Sequence, residues 1–160
     1  MTAPTLRPGT ADDAVEVADL WHRAWHDAHP GHVPAGLTAA RTRAAFRERT
    51  PGRVADTTVA EVDGELAGFI MIDGDEVEQV FVDASHRGTP VATVLLDEAE
   101  RQVAERGHDV AWLAVVTGNA RARRFYERRG WADAGDLPSA VSAGGTTYVS
   151  PCRRYEKRLS

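Results

Sequence analysis

Three groups of residues in this chain have types and spacing suited to chemistry. The first is Arg87-Gly88-Thr89-Pro90-Val91-Ala92-Thr93, between the β-branched and aromatic run Val80-Phe81-Val82 and an apolar stripe of Val94, Leu95, Leu96, Ala99 and Val103. A glycine beside the first turn of a helix lets an anion approach unpaired N–H groups, and Arg87 adds a full positive charge. Such a loop suits a phosphate or pyrophosphate. The second group is Glu76 and Glu78, which strand alternation puts on one face. A carboxylate desolvated there has a raised pKa and is matched to proton removal. The third is Asn119 and Tyr126, seven positions apart and hence on one face of a helix. A phenol with its ordinary pKa near ~10 keeps its proton at neutral pH.

The surrounding patterns say which elements hold these groups. Thr5-Leu6-Arg7 reads as a short strand. Thr10 caps a helix with Asp12 and Asp13 in its first turn, and Ala14, Val17, Ala18, Trp21, Trp25 and Ala28 recur at core-facing spacing. Pro30-Gly31 breaks that helix, and a second runs from Thr38 to Arg49 before Pro51-Gly52. Val54–Val62 and Glu65–Ile72 form a hairpin about Asp63-Gly64, a type I′ signal. Asp73-Gly74 turns into a strand over Glu76–Val82. A helix starts with Pro90 at its first position and ends at Gly107. It crosses over to a strand, Asp109–Val116, parallel to the Val80 strand. A helix from Asn119 stops at Gly130, and Trp131–Ala134 is a strand. Asp136–Gly145 reads as a loop, and Thr146–Lys157 as a final strand with Pro151 at an edge or bulge. The outcome is an α/β chain: a mixed sheet with helices on both faces.

Two of these stretches resemble the GNAT superfamily of acyl-CoA-dependent N-acetyltransferases. Arg87-Gly88-Thr89-Pro90-Val91-Ala92 resembles the family's cofactor loop, Arg/Gln-x-x-Gly-x-Gly/Ala. Asn119, Ala122, Phe125, Tyr126, Gly130 and Trp131 meet its later motif, Asn-x-x-Ala-x-x-Phe-Tyr-x-x-x-Gly-Phe/Trp. The resemblance in element order spans nearly the whole chain, and Pro90 departs from it by standing where the family usually has glycine. It implies the GNAT fold: a central, mostly antiparallel sheet of six to seven strands, with one splayed parallel pair and helices on both faces. It also implies transfer of an acetyl group from acetyl-CoA to a primary amine of a small molecule or peptide. Val80, Phe81 and Val82 would then bind coenzyme A along the strand, and residues Arg87 to Thr93 would bind its pyrophosphate. Asn119 would hydrogen-bond the cofactor, and Arg123 or Arg124 would meet its 3′-phosphate. Tyr126 matches the general acid, and either Glu76 or Glu78 matches the base. Trp25, His26 and Glu78 would line the acceptor pocket. The alternative is a catalytically weak acyl-CoA-binding or regulatory module, which the departure at Pro90 motivates.

Composition bounds the remainder. At 160 residues the chain reads as one domain over 1–160, and its net charge of −5 gives no reason to expect nucleic acid. No apolar run is long enough to span a membrane, and no secretory pattern opens the chain, so a cytoplasmic protein is expected. The single cysteine, Cys152, reads as a buried thiol. His22 and His26 have the i, i+4 spacing of a metal pair but no supporting acidic group, so no metal is expected. Dimers are frequent in the family, which makes a homodimer one of its expectations.

Overall fold

The structure is a computed structural model and describes residues 3–159. Its strands, in chain order, are β1 (Thr5–Pro8), β2 (Thr57–Val62), β3 (Glu65–Asp73), β4 (Glu76–Val82), β5 (Val110–Val116), β6 (Ala132–Asp136), β7 (Ser139–Ala143), β8 (Thr146–Ser150) and β9 (Cys152–Arg158). Its helices are α1 (Ala14–Ala28), α2 (Ala35–Ala40), α3 (Arg43–Arg49), α4 (Val91–Glu105) and α5 (Ala120–Arg128). Seven strands form one sheet in the order β1-β2-β3-β4-β5-β9-β6, and β7 with β8 forms a separate ribbon. Within the large sheet every pair is antiparallel except β4 with β5.

Each face of the sheet has its own core. The α4 stripe puts Val91, Leu95, Leu96, Ala99 and Val103 against Ile70, Leu113 and Tyr155. On the other face α1 and α3 pack Leu20, Trp21, Trp25 and Phe46 against Phe69 and Met71. Each fully buried leucine contributes about 1.5–3 kcal/mol of transfer free energy. At its C-terminus α4 closes as expected at Gly107 (φ +92°): Gly107 N–H bonds Ala104 C=O at 3.0 Å and His108 N–H reaches Val103 C=O at 3.4 Å.

The parallel pair is where the sheet comes apart. β5 pairs with β9 along its whole length, from Val110↔Arg158 to Val116↔Cys152, but meets β4 only at Glu76↔Trp112. Trp112 pins that end, its backbone N–H bonding Asp75 C=O at 3.2 Å and its indole N–H bonding the Asp75 carboxylate at 2.9 Å. β4 is also bulged. Its register with β3 slips between Met71↔Gln79 and Ile72↔Val77, which leaves Glu78 as the extra residue. Val77, Val80 and Val82 therefore face the α4 core while Phe81 faces the α1 core. Beyond the pinned end the two strands diverge into a cleft.

Several local expectations are corrected. The helix expected over Thr38–Arg49 is two helices. Arg41 leaves helical geometry (ψ 63°), and Thr42 caps α3 by accepting the Ala45 N–H at 3.1 Å. β2 begins at Thr57, because residues Thr50–Asp56 form 3₁₀ turns. Pro90 is the N-cap of α4 and not its first helical residue. Val94 is half-buried, and Val91 takes the core position. Trp131 is buried but precedes β6. The loop expected over Asp136–Gly145 contains β7 and turns at Gly144-Gly145 (φ +59° and +80°) into β8, so it is largely a hairpin. The long final strand is cut at Pro151, which lacks the N–H to continue a ladder. β8 and β9 consequently belong to different sheets.

Candidate active site

The cleft has two lobes. The smaller, about 250 Å³, lies between the free edge of β4, the loop before α4, and α5. The loop is shaped by its own residues. Asp83 caps a short turn over Ala84–His86, Gly88 takes φ +76° in open space, and the Thr89 hydroxyl donates to His86 C=O at 2.6 Å. A side chain at Gly88 would be strained by that φ. Because Pro90 is the N-cap, the N–H groups of the following turn remain unpaired within the helix, at the positive end of its dipole. Arg87, Arg121 and Arg128 stand round the lobe. Arg87 is ion-paired with Asp27 of α1 at 3.0 Å. Burial and then the charge of Arg87 hold the Arg121 pKa down, with Asp27 opposing, and three arginines but no carboxylate line the lobe.

Val80, Phe81, Val82, Arg87, Gly88, Thr89, Ala92, Asn119 and Tyr126 line this lobe. Three neighbours in the motif do not: Pro90 is exposed, Val91 is buried in the core beneath, and Thr93 is half-buried outside the wall. Arg123 is a clear correction. It is turned to the opposite side of α5, donating to Tyr155 Oη at 3.1 Å, Thr117 C=O at 2.9 Å and Asp133 at 3.4 Å. Arg124 also lies outside the lobe, and the arginines that line it are Arg121 and Arg128. They share the face of Phe125 at i, i+4, i+7 spacing, a signal present in the sequence that the basic run concealed.

The larger lobe, about 420 Å³, adjoins it along β4 and α5. Trp21 and Trp25 of α1 with its C-cap His29 form one wall, and Glu76 and Glu78 of β4 another. The bulge separates the fates of the two glutamates. Glu78 accepts two hydrogen bonds from Arg53 at 3.3 and 3.2 Å. Glu76 is pushed up to about 7, first by burial and then by Glu78, Asp73 and Asp75, with Arg53 opposing. His26 does not reach this lobe, because its Nε2 lies 2.6 Å from Arg41 C=O. The histidine that does is His29, one turn on. It is stacked on Trp25 with ring centroids 4.6 Å apart, and burial keeps it neutral by lowering its pKa. Val141 and Ser139 of β7 also line the lobe. Beside it the Tyr148 ring packs so closely on α2 that a Cβ at Gly36 would lie 2.7 Å from it. Cys152 is buried against this lobe, and burial raises its thiol pKa, which disfavours a nucleophile.

The lobes meet at Val80, Phe81, Asn119, Ala122 and Tyr126. Asn119 caps α5 by accepting the Ala122 N–H at 3.3 Å. Tyr126 is 8% exposed, and burial alone pushes its phenol pKa up, so the hydroxyl stays protonated at the junction. An arginine-lined lobe, a carboxylate whose pKa is pushed up to about 7 and a protonated phenol thus adjoin across the gap between β4 and β5.

Comparison with known proteins agrees with this geometry. Residues 16–131 match the acetyltransferase (GNAT) family. An uncharacterized N-acetyltransferase of Archaeoglobus fulgidus is 37% identical over 79 residues, covering 42% of this chain and 54% of its own length. Streptothricin acetyltransferase of Streptomyces lavendulae is 36% identical over 88 residues, covering 51% of this chain and 46% of its own. The chain thus spans about half the length of these curated relatives. A GCN5-related N-acetyltransferase from Rhodopseudomonas palustris superposes with TM-score 0.78 at 22% identity, over 99% of this chain and 98% of that one. PaiA N-acetyltransferase from Thermoplasma acidophilum, in complex with coenzyme A, gives TM-score 0.72 at 17% identity, over 98% and 99% of the two chains. With both the matched span and the two-lobed cleft in place, the chain belongs to the GNAT acetyltransferase family.

Proposed function

We propose that the cleft transfers an acetyl group from acetyl-CoA to a primary amine of a small molecule or peptide, by direct attack of the amine. The observation that carries this reading is the meeting of a phosphate-suited lobe and an acidic lobe at one protonated phenol. Structural relatives in complex with coenzyme A and with acetyl-CoA support the cofactor. Bound acetyl-CoA supplies a thioester, an electrophilic acyl carbon joined to a thiolate leaving group.

The residues present fit that group. The N–H groups at Gly88 and Ala92, with Arg87, Arg121 and Arg128, would hold the phosphates. Pro90 withholds one N–H, yet its N-cap position leaves those of the following turn available. The unpaired edge of β4 at Val80 and Val82 offers backbone groups that a closed parallel ladder would consume. The N–H near Val80 would polarise the acetyl carbonyl. The acceptor arrives as an ammonium, and Glu76 takes its proton, since its carboxyl titrates at about 7 while Glu78 is committed to Arg53. Tyr126 then donates its proton to the departing sulfur.

A thiol-release assay with acetyl-CoA and a panel of amines and peptides tests this. The reading predicts acceptor-dependent thiol release. Bound cofactor with no release for any acceptor contradicts it.

A further inference from the structure

The larger lobe holds two cations that the acetyl-transfer chemistry does not use. Arg41 is only 8% exposed, and its Nε is buried with no hydrogen-bond partner among the described residues. Burial alone acts on its pKa, lowering it, and no carboxylate offsets this. Arg49 lines the same cavity, stacked 4.5 Å over the Trp21 ring. Burial first, and the charge of Arg41 second, bring it down to about 10. Glu78, the carboxylate that opposes this, is already held at two points by Arg53. A desolvated cation without a counter-ion destabilises the fold that holds it. Two of them facing one cavity call for a ligand that brings the negative charge.

Their placement is built and not incidental. Arg41 sits where α2 gives way to α3, outside helical geometry. Its C=O lies 2.6 Å from His26 Nε2 and its N–H bonds Leu37 C=O at 3.0 Å, so the root of the side chain is fixed. The same cavity carries Glu76 at its β4 wall. It therefore presents both a carboxylate and two cations to one ligand.

We infer that the acceptor is an amine that also bears an oxyanion, of the α-amino-acid type, with Arg41 and Arg49 holding the anion while Glu76 receives the ammonium. This rests on the acetyl-transfer reading. A carboxylate and a phosphonate present the same oxyanion chemistry, and a guanidinium pairs with either at two points.

The experiment is a thiol-release assay on matched acceptors: amino acids, their amides, the corresponding decarboxylated amines, aminophosphonates and a polyamine. The expected result is a kcat/KM roughly 100-fold higher for the anion-bearing member of each pair. Arg41→Gln and Arg49→Gln each erase most of that preference, and Arg41→Lys retains part of it. Coenzyme A affinity by calorimetry is unchanged in all three. The carboxylate and phosphonate arms show which oxyanion is taken. Neutral amines or polyamines used as well as amino acids overturn the inference while leaving acetyl transfer standing, as does a preference that survives Arg41→Gln. If coenzyme A binds and no acceptor releases thiol, acetyl transfer itself fails. The anion site is then read by thermal shift, where amino acids but not their amides raise the melting temperature of the wild type and not of Arg41→Gln. No shift there overturns it too.

Discussion

The two lobes of the cleft are made differently. The smaller takes half of its lining from one continuous stretch, residues 80–92, which carries the free edge of β4, a glycine-containing loop and the first turn of α4, with α1 and α5 completing it. The larger draws on segments far apart in the chain: α1, the α2–α3 junction, runs of β4 and β5, α5 and the β7–β8 hairpin. A site built largely on one stretch suits an unvarying ligand. A site drawn from distant segments changes character with each substitution. Under the proposed function, cofactor binding falls to the first and acceptor choice to the second, in keeping with the rule that a fold does not fix its substrate.

Substitutions that touch only one lobe break or sharpen that division. The largest effect is expected from Glu76→Gln, which lowers kcat/KM for the acceptor by roughly 100- to 10,000-fold and leaves coenzyme A affinity as it was. Steady-state kinetics with calorimetry checks both halves, and a weakened cofactor would merge the lobes. Tyr126→Phe, at the junction, cuts kcat on the order of 100-fold with both KM values held. Gly88→Val forces a β-branched residue to φ +76° and weakens coenzyme A by roughly 10-fold, with acceptor KM unaffected. Smaller again, Arg121→Ala lowers coenzyme A affinity, whereas Arg123→Ala leaves it unchanged. Arg123→Ala instead costs about 1 kcal/mol of stability in denaturant unfolding, through lost bonds to Tyr155 and Thr117.

The pH dependence of Glu76 separates its two roles. As the base it must be ionised, so kcat/KM rises with pH through about 7 in the wild type, and this limb is absent in Glu76→Gln. Stability runs the other way. The folded-state pKa of about 7 lies above the ordinary 4.5, so the folded chain holds this proton more tightly than the unfolded one. That contribution is complete below 4.5 and is lost as pH rises through about 7. Above that pH, Glu76→Gln therefore melts at a higher temperature than the wild type, and the gap closes on acidification.

What could be read from the sequence follows the same division. Local rules fixed the cofactor side. Apolar periodicity marked α4, a positive-φ glycine ended it at Gly107, and Asn119 stood as a helix cap before Tyr126 at two-turn spacing. The acceptor side depends on contacts between distant segments. Nothing near Arg41 in sequence shows that its guanidinium ends up buried, because that follows from a helix break at Thr42 and from a carbonyl engaged by His26, fifteen residues away. His29 in place of His26 turns on which side of α1 meets the cleft. Arg121 and Arg128 were hidden in a run of arginines until α5 was oriented by Phe125 and Tyr126. The bulge at Glu78 distinguishes two glutamates that alternation makes equivalent, and it is a register slip visible only against β3. The β7–β8 hairpin has turn-like composition, and its strands form only where Tyr148 and Val141 pack on the α1 core.

The central claim is that one cleft between β4 and β5 joins both lobes at Tyr126, and a crystal structure with coenzyme A tests it most directly. The account predicts density that runs along the free edge of Val80 to Val82, with the pyrophosphate over Gly88 and Ala92 and the sulfur facing the Tyr126 hydroxyl. Coenzyme A bound elsewhere, or β4 and β5 closed into a continuous ladder with Tyr126 turned away from the sulfur, would contradict it.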